Sequence, residues 1–515
     1  MITESALVEN RYLDSVFLMR VAKRMSGQPG IEQAALVMGT PKNIQVLAEA
    51  GYDGIEALGA SSNDLVVSLK AESAEQARLL LDSLDQWLIR DSSRPAVQTV
   101  RSIEQALTQQ PTSNLVLISV PGEFAAREAR LALQNGLNVF LFSDHVSIED
   151  ELSLKLMARE KGLLLMGPDC GTSIVGGVGL GFANAVRRGH IGVVGASGTG
   201  TQEVTSLVHR WGSGISHAIG VGGRDLSDDI GAISTLQAMD ALDRDPNTSV
   251  IVLVSKPPGA SAIIRVDERI AACSKPVVTC YLGGQDGGPP KLKNATTTHN
   301  LDDAATAAIR LAGGIRVDGT EENDAGTPES IQRERATLRA GQKFVRGVFA
   351  GGTLCYQAQQ VLRDTGLSVH SNEPLEKGME LPDSSLSVEH TLVDMGADEF
   401  TEGKPHPMVD STQRVERILS EAQDPQVAVI LLDCILGYVA AENPAGDIAP
   451  AVLAAKRTAQ ERGDNLIVVA SVCGTEIDQQ GLESQVNLLE EAGAIVFTSG
   501  FQAARFAAQL VSGRD

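Results

Sequence analysis

Short continuous apolar runs alternate along this chain with stretches of 3.6-residue period, so strands and helices are predicted in series. In residues 1–92 strand-like runs fall at Ile31–Met38 and Leu65–Lys70, and helical patterns at Asp14–Met25, Lys42–Ala50 and Ala74–Trp87. This predicts a small α+β unit, with SRPAVQ at 93–98 as a joint. A stricter rhythm follows at 93–186, with strands Leu115–Val120, Val139–Phe142 and Leu163–Met166 and helices Glu123–Gln134 and Ile148–Lys161. Residues 187–315 add strands Ile191–Val194, His217–Val221, Val250–Val254 and Val277–Tyr281. The acidic, apolar-poor stretch at 316–341 reads as a linker. A last α/β unit at 342–515 has strands Phe344–Phe349, His390–Met395, Val427–Leu432, Leu466–Ser471 and Ala494–Thr498. Continuous apolar strands separated by helices predict parallel sheets covered on both faces.

Two strand-to-helix turns stand out. GHIGVVGASGTGTQE (Gly189–Glu203) runs from an apolar strand through small residues and hydroxyls into a helix with Val204, Leu207, Val208 and Trp211 on its apolar face. FVRGVFAGGTLCYQAQQ (Phe344–Gln360) repeats the design, with Leu354, Ala358, Val361 and Leu362 facing inward. A helix start leaves backbone N–H groups free at the positive end of the dipole, glycine admits an anion to the backbone, and hydroxyls add donors. Ser197, Gly198, Thr199, Gly200 and Thr201, with Gly351, Gly352 and Thr353, are therefore candidate phosphate or carboxylate ligands. The plainer reading is that these residues only cap their own helices, as in many α/β proteins.

Other polar residues are weaker candidates. Gly403-Lys404-Pro405-His406-Pro407 holds an imidazole on a proline-stiffened loop, with Lys404 able to neutralise phosphate and His406 to move a proton; a merely rigid surface loop is the alternative. Asp169 and Cys170 follow a buried strand at the carboxyl edge of a sheet, where ligands of open α/β sheets collect, though Cys170 reads better as a packed thiol. Arg224 can clamp an anion or form an ordinary ion pair. His190, His209 and His217 have no companions at metal-ligand spacing, so no metal site is expected.

At 515 residues the chain exceeds one core, and roughly three or four domains are expected. A net charge of −22 repels nucleic acid and anionic membrane, so neither is an expected partner, while local donors can still hold a small anion. No segment offers an uninterrupted membrane-spanning apolar run, and MITESALVENRYLD has neither the basic start nor the apolar centre of a secretory signal. The six cysteines show no CxxC spacing and lie in or beside apolar runs. Reduced, buried thiols and a cytoplasmic location are expected.

LMGPDCGTSIVGGVG, GHIGVVGASGTGTQE and GVGGRDLSDDIGAISTLQAMDALDRDPNTSVIVLVSK together resemble the α subunit of succinyl-CoA synthetase over roughly residues 110–315. HTLVDMGADEF and DPQVAVILLDCILGYVAAE resemble the carboxy-terminal domain of its β subunit, so the chain looks like a fusion of the two. Within that superfamily FAAREARLALQNGLNV, EDELSLKLMAREKGLLLMGPDCGT, NAVRRGHIGVVGASGTG and FTEGKPHPMVD resemble the FdrA family over nearly the full chain. The fold class implied is α/β: serial Rossmann-like (93–186) and flavodoxin-like (187–315 and 342–515) parallel-sheet domains behind a small, ferredoxin-like N-terminal α+β unit.

The departures limit the function that the resemblance implies. The synthetase needs a phosphorylatable histidine after the last strand of its second α-subunit unit. Here no histidine lies between Lys275 and Thr298, and His299 opens the next helix. An ATP-grasp domain is missing, and so is the amino-terminal glycine loop that holds CoA. Phe142, Ser143 and Asp144 stand where the synthetase carries its second CoA loop, so CoA remains a possible cofactor. The FdrA resemblance implies one subunit of an oxamate carbamoyltransferase in allantoin catabolism, converting oxalurate and phosphate into oxamate and carbamoyl phosphate. Its partners would be those small anions and other subunits or further copies of the chain. The alternatives are an acyl-CoA synthetase-like CoA-binding enzyme and a catalytically silent metabolite-binding scaffold.

Overall fold

The computed structural model describes residues 2–514 except Tyr12, Asp14, Asp53, Glu56, Ala57, 89–99, Arg101, 284–291, 317–325 and Gly403. The joint expected at 93–98 and much of the acidic stretch lie outside the described residues. Two compact units emerge, Met1–Val100 with Asp398–Asp410, and Arg101–Ala397 with Ser411–Asp515.

The smaller unit is built on strands β1 (Ile2–Val8), β2 (Ile31–Met38) and β3 (Leu65–Ala71) in the order β1-β3-β2, with both neighbours antiparallel to β3. The period of two along β3 sends Leu65, Val67, Leu69 and Ala71 toward a core with Leu18, Val21, Met25 and Ala77 from helices Ser15–Ser26 and Ala74–Asp82. Val66 faces the other way, against Leu47, Tyr52 and Ile55. Strand β1 carries Thr3, Glu4 and Ser5 and has no strong apolar signature; pairing with β3 defines it, including a 2.9 Å contact between the Ser5 and Ser68 hydroxyls.

The larger unit holds three sheets. Strands β4 (Leu115–Ile118), β5 (Asn138–Leu141) and β6 (Leu165–Met166) form a parallel sheet. Seven strands form the next: β7 (Thr172–Val175), β8 (Val178–Gly181), β9 (Arg188–Gly195), β10 (Ile215–Gly220), β11 (Val250–Ser255), β12 (Val277–Tyr281) and β13 (Ala295–Thr298). Their order is β13-β12-β11-β9-β10-β7-β8, parallel from β13 to β10 and finished by the antiparallel β7–β8 hairpin. That hairpin falls within 172–181, so the second sheet draws on residues that precede 187. The third sheet is wholly parallel, in the order β15 (Val369–His370), β16 (His390–Asp394), β14 (Phe344–Phe349), β17 (Val427–Ile435), β18 (Ile467–Cys473) and β19 (Ala494–Phe497). The far half of the expected linker is a helix, Pro328–Ala336, capped by Thr327 and docked on the last helix, Gly500–Val511.

Four helices tie the second and third sheets together: Gly198–Arg210, Leu301–Leu311, Gly352–Asp364 and Gly500–Val511 pack on one another. The Gly198 helix is buried from Gly200 to His209, on its polar side as well as its apolar one. Its polar residues bond across the junction. The Glu203 carboxylate accepts from Gly500 N–H at 2.8 Å, and Gln202 donates to the Phe182 and Leu436 carbonyls. From the Gly352 helix, Gln357 accepts from Leu301 N–H and Gln360 donates to the His299 carbonyl. Buried polar groups without partners cost several kcal/mol, so these bonds fix how the layers meet.

Candidate active site at two converging helix tips

Strand β9 ends at Gly195, and after Ala196 the chain enters the helix through Ser197, whose extended backbone makes it the N-cap. Ser197 Oγ accepts from Gly200 N–H at 3.0 Å, and Thr201 Oγ1 donates to the Ser197 carbonyl at 2.6 Å. The N–H groups of Gly198 and Thr199 belong to the first turn, which has no intrahelical carbonyl to offer them. Ser197, Gly198 and Thr199 are only half-buried. Beside them, Thr172 Oγ1 on β7 is 2% exposed and without a hydrogen-bond partner, 3.9 Å from where a Cβ on Gly198 would stand.

The second glycine turn reaches the same point. Ser197 Oγ and Thr353 Oγ1 lie 2.5 Å apart, and Thr353 N–H donates to Thr199 Oγ1 at 3.3 Å. A Cβ on Gly200 would stand 3.0 Å from Thr353 Cγ2, and one on Gly351 3.0 Å from Thr199 Cγ2, so the absent side chains permit the approach.

The two tips are not equivalent. At the Gly352 helix, Asp433 accepts from Ala350 N–H and Gly351 N–H, both at 2.8 Å, and is held by Arg414 at 2.8 Å. Arg414 also donates to the carbonyls of Val348 (3.0 Å) and Asp433 (2.6 Å). Asp394, at the end of β16, lies against Gly352. Burial pushes its carboxyl up to about 7, with Glu373 and Asp433 acting in the same sense and the Gly396 N–H and Lys256 opposing. Burial also raises Asp433, against the pull of Arg414. Lys256, just past β11, sits 5.0 Å from the Tyr356 ring centroid and 3.9 Å from Glu373. The Gly198 tip therefore keeps open donors, while the Gly352 tip is loaded with carboxylates.

The remaining sequence candidates stand elsewhere. Ser143 is buried, its hydroxyl donating to the Val120 carbonyl at 2.5 Å; Phe142 packs on Phe182 with ring centroids 5.6 Å apart; Asp144 is exposed beside His145. Asp169 is exposed, and its φ of 54° is in the left-handed region. Cys170 is fully buried, bonded to Ser173 and the Thr172 carbonyl, and pushed up to about 12 by burial, which makes it a packed thiol. All six cysteines are buried and free. Arg224 is engaged by Glu151 at 2.8 Å and by the Val146 carbonyl at 2.7 Å. Lys404 is exposed and His406 half-buried, with His406 Nδ1 accepting from Met408 N–H at 3.2 Å; both belong to the smaller unit. Sequence reasoning passed over Thr172, Lys256, Asp394 and Asp433. The available signal was a carboxylate after an apolar run, at the end of a strand in HTLVD and within one in VAVILLDCI.

Three families match the chain: "AllF, heavy metal-associated domain" over residues 1–106, "Succinyl-CoA ligase like flavodoxin domain" over 188–325, and "CoA-ligase" over 348–510. Residues 1–106 contain no cysteine and no histidine, so the first match brings no thiolate or imidazole metal ligand with it. The uncharacterized protein YahF of Escherichia coli strain K12 is 42% identical over 503 residues, 98% of this chain and 97% of YahF. The α subunit of the ADP-forming succinate–CoA ligase of Methanothermobacter thermautotrophicus is 28% identical over 198 residues, 38% of this chain and 65% of that subunit. Among solved structures, a dinucleotide-forming acetyl-coenzyme A synthetase of Ca. Korarchaeum cryptofilum, in complex with phosphate and ADP, covers 82% of this chain and 87% of its own at 15% identity and a TM-score of 0.32. No helix among the described residues is long and apolar enough to cross a membrane.

Proposed function

The chain belongs to the FdrA family, and from that premise we propose that it is a subunit of a carbamoyl-transfer enzyme of the oxamate carbamoyltransferase type, acting in allantoin breakdown. One observation carries the reading: the two glycine-lined helix tips meet at the Ser197–Thr353 contact of 2.5 Å. In the reaction a hydrogen phosphate oxygen bonds to the ureido carbon of oxalurate as the carbon–nitrogen bond breaks. The nitrogen leaves in oxamate with a proton, and carbamoyl phosphate results. Such a transfer needs orientation and charge stabilisation and no covalent shuttle, in keeping with a chain that has no histidine between Lys275 and Thr298.

The Gly198 tip is the phosphate site in this reading. The N–H groups of Gly198 and Thr199 and the partnerless Thr172 hydroxyl supply donors, and Ser197, Gly200 and Thr201 shape the turn. A second reading, an acyl-CoA synthetase-like enzyme that binds CoA, is favoured by the CoA-ligase match over 348–510. Phosphorolysis of oxalurate, followed as oxamate release by the purified chain with and without the proteins encoded beside it, decides between them. Phosphate-dependent oxamate release supports carbamoyl transfer. Thioester formation by the lone chain with CoA and ATP overturns it.

A further inference from the structure

Asp394 and Asp433 reach one helix tip from β16 and β17, the strands on either side of β14, yet their surroundings differ. Asp433 is locked: it pairs with Arg414 and accepts two backbone N–H groups. The side chain of Asp394 accepts from Gly396 N–H at 2.9 Å through Oδ1, while Oδ2 is turned onto Gly352, where any Cβ would overlap it. Its backbone is held on both sides by Asn372, which accepts from Asp394 N–H and donates to the Asp394 carbonyl, each at 2.9 Å. The next residue after Gly352 is Thr353, whose hydroxyl touches Ser197. The carboxyl group thus lies against the residue next to the junction of the tips. The charged groups acting on it are Lys256, Glu373 and Asp433. Two carboxylates in contrasting environments at one site are the usual arrangement by which one stays an anion and the other exchanges a proton.

We propose that Asp394 carries the proton of the transfer step. This rests on the carbamoyl-transfer reading. As the phosphate oxygen bonds to the carbamoyl carbon, the carbon–nitrogen electron pair moves to nitrogen, which takes the Asp394 proton. The hydrogen phosphate proton then returns to the Asp394 carboxylate. In the reverse direction the carboxylate accepts the proton from the oxamate amide.

The test is oxalurate phosphorolysis by the full complex between pH 5.5 and 9, comparing wild type with Asp394→Asn and Asp394→Glu. Asp394→Asn is expected to lower kcat by about 10²- to 10⁴-fold, to change the phosphate KM by less than about threefold, and to abolish the alkaline limb of the pH–rate profile. Asp394→Glu keeps a titrating carboxyl and is expected to recover part of kcat with a displaced limb; the recovery separates proton transfer from a structural role. Asp394→Asn turning over within about threefold of wild type, or keeping the same alkaline limb, overturns the proposal. So does transfer of the limb's disappearance to His406→Gln. Wild-type complex without oxalurate phosphorolysis refutes the carbamoyl-transfer reading itself, a different result from an active wild type with an equally active Asp394→Asn.

Discussion

The Ser197–Thr353 contact can be measured as a coupling energy. Ser197→Ala removes the N-cap acceptor for Gly200 N–H and the hydroxyl pair. Those are worth about 1 kcal/mol each, so about 2 kcal/mol is expected. Thr353→Val keeps the shape and loses only the pair, about 1 kcal/mol. With the pair already gone, the double variant should cost about 2 kcal/mol and not 3, a coupling of about 1 kcal/mol. Trp211 is the reporter: it is 3% exposed and caps the far end of the same helix. The chain's other tryptophan is Trp87, so a Trp87→Phe background makes the signal specific. Urea unfolding followed by Trp211 fluorescence across the four combinations gives the cycle. Effects that add to within about 0.3 kcal/mol would mean that the hydroxyls do not touch, and the argument for a shared site would fail with them.

Arg414→Met strands the buried Asp433 carboxylate, so the larger unit should lose about 3–5 kcal/mol in denaturant melts; adding Asp433→Asn should restore part of this, and no rescue refutes the pairing. Thr172→Val should weaken phosphate binding severalfold in calorimetry while leaving the unfolding midpoint unchanged or raised, since the hydroxyl it removes has no partner; undiminished affinity excludes Thr172 from the site. The Glu203 carboxyl is pushed by burial from its ordinary 4.5 to about 7, with Asp302 adding to the rise and Gly500 N–H and Arg210 opposing it. Because the folded value is the higher one, its contribution to stability is full below about pH 4.5 and is lost as pH rises through about 7. Glu203→Gln should therefore gain on wild type between pH 5 and pH 8, by an amount on the order of 3 kcal/mol or less; parallel stability curves for the two proteins would refute the shift.

Much of the secondary structure was legible because it is local. Strands Ile31–Met38 and Phe344–Phe349 and helix Ile148–Lys161 occupy the residues that their periodicity marks. The Ser197 cap follows from a serine before glycine and threonine at a strand end. Elements that lean on partners were not legible. Strand β1 has weak apolar patterning and exists through β3, and the β7–β8 hairpin of TSIV and VGLG is defined by its pairing, Ile174 opposite Ala218 on one side and Gly179 on the other. The apolar stripe marks one face of the Gly198 helix, yet Gln202, Glu203 and His209 are buried too, against groups from elsewhere in the chain.

What the residue order settled alone was the alternation of strands and helices and the chemistry carried by each turn, since dihedral preference, period and capping act within a few residues. That two turns 156 residues apart share one point was decided by packing, because only the helix layer between two sheets brings Ser197 onto Thr353. Packing also decided which tip stays open and which is filled. Asp394 and Asp433 reach Gly352 and Gly351 from strands that flank β14 in the sheet, a neighbourhood set by strand order and not by distance along the chain.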